Sequence, residues 1–482
     1  MNRKTDLREI IKVLGVESSL SGEITGVSYD SREVKPGHLF IAIKGQKTDG
    51  HDYLENAGKS GAVAALVEEI KSFDLPQIKV RSTLQSLADA SALFYGYPSE
   101  NMVVAGVTGS NGKTTTCYLI ESIAKAHGFE PGLLGTINYR WPGYSKESSL
   151  TTPMSRDVQK YLSMMVNGKC DFAVMEVSSH ALEMDRVRKV NFAVGVYTNL
   201  SQEHLDFHIN MENYFESKKK LFTEHLDSKK PAVINSDDEY GRRLIENLGN
   251  HDIWSYGFDN KARVIGEIID LTAKGGHLKI SSHDCKLHIQ TNLIGRHNCY
   301  NILGAAATGF ALRIPGDEIE KGIMEVERIP GRLEVVQSDS PFQVIVDFAH
   351  TPDAMEKALG TLKSLPHNKI ITVFGCGGDR DRTKRPLMGK VAAEMSGYVI
   401  VTSDNPRSES PNAIISEILP GLESICTPYI VEPDRKEAIK KAIGMAQPDD
   451  VVLISGKGHE TYQILGDEVV SFDDKKIAKE FL

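Results

Sequence analysis

The stretch Met102-Val103-Val104-Ala105-Gly106-Val107-Thr108-Gly109-Ser110-Asn111-Gly112-Lys113-Thr114-Thr115-Thr116 runs from apolar residues into a glycine-rich exit and ends on Lys-Thr. An unbroken apolar run bounded by such an exit reads as a strand buried on both faces. Cys117 to His127, stopped by Gly128, reads as a helix. Strand, glycine loop, Lys-Thr and helix together make a phosphate cradle. The glycines let backbone N–H groups approach oxygens, the helix N-terminus favours negative charge, Lys113 reaches outer phosphates, and Thr114 can ligate magnesium. The usual spacing, GxxxxGK and then Ser or Thr, wants its first glycine where Val107 stands, and the chain offers Gly106 and Gly109 instead. A glycine-rich turn with a surface lysine is the plain alternative, against which the flanking strand and helix argue.

Working outward, apolar strands Phe172 to Val177, Phe192 to Val196 and Ala232 to Ile234 alternate with helical stretches, the pattern of a largely parallel sheet covered on both faces. More polar strands over 263–294 interrupt it, and Ile329-Pro330-Gly331 closes it. Beyond lie four further strand candidates, Val344 to Asp347, Ile370 to Phe374, Val399 to Thr402 and Val451 to Ile454, which imply a doubly wound α/β domain. Ahead of the phosphate loop, a short helix, strand Leu39 to Ile43 and strand Ala62 to Val67 give an α/β segment without a catalytic motif, ending near Tyr97-Pro98-Ser99. The expected fold class is thus α/β in three domains, 1–98, 99–330 and 331–482, as the length of 482 residues allows.

Acidic residues number 65 against 56 Lys plus Arg, so the formal charge is -9, the wrong sign for neutralising many phosphates. No nucleic-acid partner is expected. No apolar run is long enough for a membrane span, and the N-terminal Leu7, Ile10, Ile11 and Leu14 have helical spacing rather than that of a signal peptide. Six scattered cysteines without a CxxC pair read as reduced, mostly buried thiols of a cytoplasmic protein.

Glu176 ends strand Phe172 to Val177, and strand C-termini gather at the ligand crevice of an open parallel sheet. Beside a phosphate loop it is a candidate metal carboxylate rather than a solvated strand-end charge. His204 lies in a strand-end loop, where a metal ligand, a proton carrier and a surface residue are all open readings. By pattern alone, Lys218-Lys219-Lys220 is a solvated helical face.

Taken in order, TGSNGKTTT, EVSSHALEMDR, TNLSQEHLDFH, GRHNCYN, PGR, DFAHTPD, GCGGDRDRTKRP, SDNPR and GKGHE resemble the Mur ligases, ATP-dependent amide-bond-forming enzymes of peptidoglycan precursor synthesis, over nearly the whole chain. The resemblance implies an N-terminal nucleotide-sugar domain, a central P-loop domain and a C-terminal Rossmann-like domain for the incoming amino acid. It carries the ATP site to Gly109, Ser110, Asn111, Gly112, Lys113, Thr114 and Thr115, with Asn298 near adenine, Arg332 near the phosphates, and Asp347 and His350 at the third-domain edge. It implies magnesium on Thr114 and Glu176, a second ion on His204, and a carbamylated Lys218, whose CO2 adduct is the oxygen-donor anion that hard cations prefer. Lys113, Glu176, His204 and Lys218 form the implied catalytic set.

The implied small-molecule substrates are UDP-N-acetylmuramoyl-L-alanyl-D-glutamate and meso-diaminopimelate. Ser31, Gln46, Lys47 and Thr48 match the nucleotide-sugar contacts. Thr151, Thr152, Ser178 and Arg186 match the peptide arm, with Met184 where some relatives carry glutamine. Members that add meso-diaminopimelate carry Asp404-Asn405-Pro406-Arg407, which bottom-up is only a turn after a strand. A guanidinium at Arg407 can grip a second carboxylate with two parallel hydrogen bonds, which lysine as substrate would leave unmet. Arg380, Gly456 and Glu460 complete that pocket by position. A monomer is expected. The alternatives are a lysine-adding ligase of the same family, a folylpolyglutamate synthetase-like ligase and a non-catalytic nucleotide-binding regulator.

Overall fold

A computed structural model describes residues 3–45, 48–259, 261–272, 275–283 and 285–482. The strand of the phosphate loop, Val103–Thr108, lies within a sheet that has eleven strands among the described residues. Pro131–Leu134, Phe172–Glu176, Val103–Thr108, Val194–Tyr197, Pro231–Asn235 and Asp252–Gly257 run parallel in that spatial order. Alternate side chains serve opposite faces, as strand geometry requires. Ala105, Val107, Phe172 and Val174 pack with the helices Lys113–Ala126 and Arg296–Ala311. Val104, Ala173 and Met175 pack with Ser155–Asn167 and Met211–Thr223. The expected polar strands appear as an antiparallel meander, Val264–Thr272, Gly275–Ser282 and Cys285–Thr291, extending one edge.

Several boundaries differ from expectation by one to four residues, and two of them bear on the site. The helix begins at Lys113 rather than Cys117, because the Lys-Thr-Thr-Thr segment forms its first turn. The strand expected over Phe192 to Val196 is Val194–Tyr197. Phe192 instead lays its ring against Gly106, where a Cβ would stand 2.6 Å from it. Gly106 is therefore a packing glycine of the strand, and the phosphate loop begins at Gly109.

The third sheet is ordered Glu334–Val336, Gln343–Asp347, Val451–Ser455, Ile370–Phe374, Tyr398–Val401 and Tyr429–Val431, parallel except for its first edge strand. Separate apolar clusters cover its two faces, one built on Met355, Met388 and Ile414, the other on Ala438, Ile439 and Ile477. It is doubly wound, as expected. The first sheet, Gly26–Ser28, His38–Ile41, Ala64–Val67 and Gln77–Lys79, is wholly parallel. Tyr29 Oη donates to Asp157 at 2.7 Å and Arg156 pairs with Glu33 at 2.7 Å, tying this domain to the central helix Ser155–Asn167. All six cysteines are free, four of them buried, Cys285 intermediate and Cys426 exposed. Among the described residues no helix is long and apolar enough to cross a membrane.

Candidate active site

The phosphate loop is held by close approaches that only glycine permits. Gly109 has φ 144°, and a Cβ there would meet Thr198 Oγ1 at 1.9 Å; Gly112 has φ 85°, and its Cβ would meet Asn301 Oδ1 at 2.2 Å. From the neighbouring strand end, Thr198 Oγ1 donates to Asn111 O at 2.6 Å, and Asn199 Oδ1 accepts from Asn111 N at 3.1 Å. Lys113 folds back over the loop, its Nζ donating to Gly109 O at 2.7 Å and Ser110 O at 2.8 Å, and burial lowers its pKa.

Behind the loop Thr114 Oγ1 donates to Glu176 Oε1 at 3.0 Å. Thr136, which carried no sequence signal, donates to the same carboxylate from its N–H at 2.8 Å and its hydroxyl at 2.9 Å. The peptide-arm candidates collect at this end of the strand. Thr151 Oγ1 donates to Thr136 Oγ1 at 3.2 Å; Thr152 Oγ1 donates to Glu176 O at 2.8 Å and accepts from Ser178 N at 3.0 Å; Arg186 donates to Thr152 O at 3.0 Å and to Met184 Sδ at 3.1 Å. Ser31 and Thr48 belong to the first domain, and Gln46 and Lys47 lie outside the described residues.

Lys218 departs from the solvated face that its lysine triplet suggests. It is 1% exposed, its Nζ donates to Gly109 O at 2.9 Å, and it lies 4.5 Å from the centre of the Tyr214 ring. Burial, and then the Lys113 charge, push its pKa well below the ordinary lysine value. Lys219 and Lys220 keep ion pairs with Glu216 and Glu183. His204, in a left-handed conformation at φ 57°, lies on the rim with its ring 4.9 Å from His180. Among the described residues no three His, Cys, Asp or Glu side chains converge on a metal position. Thr114 with Glu176 is a hydroxyl-carboxylate pair, which suits magnesium, an ion that keeps waters and substrate phosphates and takes one or two protein carboxylates.

Two cavities open from this centre. One of about 350 Å³ is lined by Asn111, Thr114, Thr115, Asn298, Arg332 and Asp347, so central and third domains both wall it. Arg332 crosses between them, donating to Thr114 Oγ1 at 3.1 Å with its guanidinium 4.9 Å from the Phe348 ring centre. Asn298 donates to Ile294 O at 2.9 Å. Asp347 accepts Leu333 N at 2.6 Å and Ala349 N at 2.8 Å, and burial raises its pKa. Asp353, the last residue of DFAHTPD and without a role by sequence, accepts from Asn111 at 2.7 Å and Ser201 at 2.8 Å across the same boundary.

The second cavity, about 480 Å³, is lined by His204, His350, Arg380, Asp404, Asn405, Arg407, Gly456 and Glu460 among others. His350 lines this chamber, while Asp347 of the same motif lines the first. The chain runs on past the strand end, and His350 Nδ1 contacts Phe348 O at 2.8 Å; burial pushes its pKa down to about 4. Asn405 donates to Glu460 Oε2 at 2.8 Å, and buried Lys457 donates to Asn405 Oδ1 at 3.0 Å and Glu460 at 3.1 Å. Burial raises the Glu460 pKa. Arg407 donates to Gly378 O at 2.7 Å. Opposite charges thus face one chamber, suited to a substrate bearing both amine and carboxylate.

A phosphate loop on a parallel sheet, joined to an amphoteric second chamber on another domain, defines a nucleotide-dependent ligase. Family models match in three blocks: "Mur ligase family, catalytic domain" at 23–95, "Mur ligase middle domain" at 107–309 and "Mur ligase, glutamate ligase domain" at 331–458. The chain is 43% identical over 464 residues to UDP-N-acetylmuramoyl-L-alanyl-D-glutamate--2,6-diaminopimelate ligase of Solibacter usitatus (strain Ellin6076), covering 95% of this chain and 94% of that protein. It is 43% identical to the protein of the same name from Syntrophomonas wolfei subsp. wolfei (strain DSM 2245B / Goettingen), covering 99% of each. A solved structure titled as a UDP-N-acetylmuramoyl-L-alanyl-D-glutamate--2,6-diaminopimelate ligase superposes with a TM-score of 0.69 at 30% identity, covering 98% of both chains. The chain belongs to the Mur ligase family and is an ATP-dependent amide-bond-forming ligase.

Proposed function

We propose that the chain joins meso-diaminopimelate to the D-glutamate γ-carboxyl of UDP-N-acetylmuramoyl-L-alanyl-D-glutamate, with ATP converted to ADP and phosphate, in the cytoplasm and as a monomer. The carrying observation is the second chamber, lined by the Arg407 and Arg380 cations and the Glu460 and Asp404 carboxylates and joined to the phosphate loop through Asp353, which bonds Asn111. Residues 1–98 take the nucleotide sugar, with Ser31, Gln46, Lys47 and Thr48 as contacts; 99–330 hold ATP; 331–482 receive the amino acid.

In the first step a γ-carboxylate oxygen attacks the terminal phosphorus of ATP, giving an acyl phosphate and ADP. Lys113 moves from the carbonyls of Gly109 and Ser110 onto the phosphates, while Arg332 and the loop N–H groups hold the transferring group in line. Thr114 and Glu176 would hold one magnesium ion, and His204 with a carbamylated Lys218 a second, their chemistry being neutralisation of phosphoryl charge. Lys218 suits carbamylation because a neutral buried amine keeps the lone pair that attacks CO2, one proton leaving as the N–C bond forms. In the second step the amine at the L-centre of diaminopimelate attacks the acyl carbon, loses a proton and expels phosphate. Thr151, Thr152, Ser178 and Arg186 position the peptide arm, and Arg407 and Arg380 grip the distal carboxylate while Glu460 meets an ammonium.

The test supplies the nucleotide dipeptide and ATP with either meso-diaminopimelate or L-lysine and measures tripeptide. Preference for lysine would overturn the assignment of Arg407; absence of any ATP-dependent product would overturn the function.

A further inference from the structure

The hairpin of Tyr462–Leu465 and Glu468–Ser471 has no part in the function set out above, yet it is bonded along the loop that carries Arg407. Gln463 Nε2 donates to Asp404 O at 2.6 Å, and Ile464 N donates to Asn405 Oδ1 at 3.0 Å. Arg407 N donates to Ile464 O at 3.2 Å, and Gly466 N donates to Arg407 O at 2.9 Å. On its other side the loop abuts glycines. A Cβ at Gly378 would stand 1.8 Å from Pro406 O, and one at Gly456 2.6 Å from Asp404 Oδ2.

Arg407 sits in this clamp at φ 53°. A non-glycine residue in the left-handed region persists only where its surroundings over-determine it, and here hairpin backbone holds both its N–H and its carbonyl. Gln463 is 7% exposed, and its amide supplies the partner of a buried loop carbonyl. It acts through the loop rather than by lining the second cavity.

We propose that Gln463 and its hairpin are the positioning device that gives the second chamber its selectivity for an amine substrate with a second carboxylate, a proposal that rests on the function set out above. Bidentate recognition of a carboxylate tolerates little displacement of the guanidinium. Without the Gln463 amide the Asp404 carbonyl loses its partner, the loop is free to relax, and the Arg407 fork no longer meets the distal carboxylate. Lysine has no carboxylate there, so its handling is insensitive to the change.

The experiment compares wild type, Gln463→Met and Ile464→Pro, the latter removing the N–H bonded to Asn405 Oδ1 while leaving the Gln463 amide in place. Steady-state constants are measured for meso-diaminopimelate, for L-lysine at high concentration, for ATP and for the nucleotide dipeptide, with circular dichroism to establish folding. The expected result is a KM for diaminopimelate raised about tenfold or more, as misplacement of a binding group by an ångström can produce, with kcat and the other KM values near wild type and the diaminopimelate-to-lysine ratio falling accordingly. If Gln463→Met does not fold, Ile464→Pro carries the test. Folded variants that keep the wild-type KM, or that lose activity on both amines alike, overturn the proposal. A wild-type enzyme that prefers lysine overturns instead the function on which it rests.

Discussion

Replacing Lys218 with Met is expected to abolish ligation without destabilising the fold. Lys113 and Lys218 both donate to Gly109 O, at 2.7 and 2.9 Å. Two unit charges sharing one acceptor, about 5 Å apart, repel by roughly 3 kcal/mol at an effective dielectric of about 20. The depressed pKa of Lys218 is the escape from that repulsion and from burial. Met fills a similar volume, forfeits a hydrogen bond of about 1 kcal/mol and removes the burden of burying an amine, so stability in urea should stay within about 2 kcal/mol of wild type. Turnover, followed as ADP release dependent on both amino acid and nucleotide dipeptide, should fall by about 10²–10³, the scale for losing one charge-stabilising group. Lys218→Arg, permanently charged and unable to take up CO2, should be inactive and also less stable. Added bicarbonate should raise wild-type activity in CO2-depleted buffer and change neither variant. Lys218→Met with a tenth or more of wild-type turnover, or an active Lys218→Arg, would refute the reasoning.

Other perturbations read different parts of the molecule. Asp474→Asn leaves Arg435, fully buried and bonded to Asp474 at 2.7 Å, as an uncompensated charge, and should lower unfolding free energy by about 3–5 kcal/mol in urea. Arg385 holds the Glu409 carboxyl down to about 2. That folded-state value lies below the usual carboxylate range, so the stability it contributes is full above about pH 4.5 and fades as pH falls toward 2. The stability difference between wild type and Glu409→Gln should therefore shrink across that window in acid titrations at fixed urea; a constant difference would count against it. Gly109→Ala forces a Cβ to within 1.9 Å of Thr198 Oγ1 at φ 144°, and should destabilise by about 1–3 kcal/mol while raising KM for ATP, measured by urea denaturation and initial rates.

The strands were legible because buried parallel strands are apolar runs, and Val103–Thr108, Phe172–Glu176 and Ile370–Phe374 have little else in them. Composition alone puts Lys218 on a solvated face with its charged neighbours, and the family resemblance singles it out. Tyr214, Lys218, Leu221 and Phe222 share one buried face of the helix Met211–Thr223, so helical period rather than composition carried the signal. Thr136 and Gln463 carry no signal in the sequence, and Asn301 shows only as the end of GRHNCYN, with nothing to assign it a role. Each acts on a residue distant in sequence, Glu176, Gly112 and Asp404 respectively, and nothing local marks a contact that only the assembled sheets create. Asp347 and His350, three residues apart in one motif, line different cavities, because a motif specifies neighbours in sequence and not the direction in which a loop turns.

The cavity that touches Asn298 on one wall and Asp347 on the other belongs to neither domain alone. A nucleotide seated there is a reversible cross-link, and at a hundred times its Kd it contributes about 2.7 kcal/mol to whatever must come apart before it leaves. In calorimetry the central and third domains should therefore melt more nearly as one cooperative unit with nucleotide than without it, the first domain sharing in this through its own links to the central domain, Tyr29 with Asp157, Glu33 with Arg156 and Asp89 with Arg188.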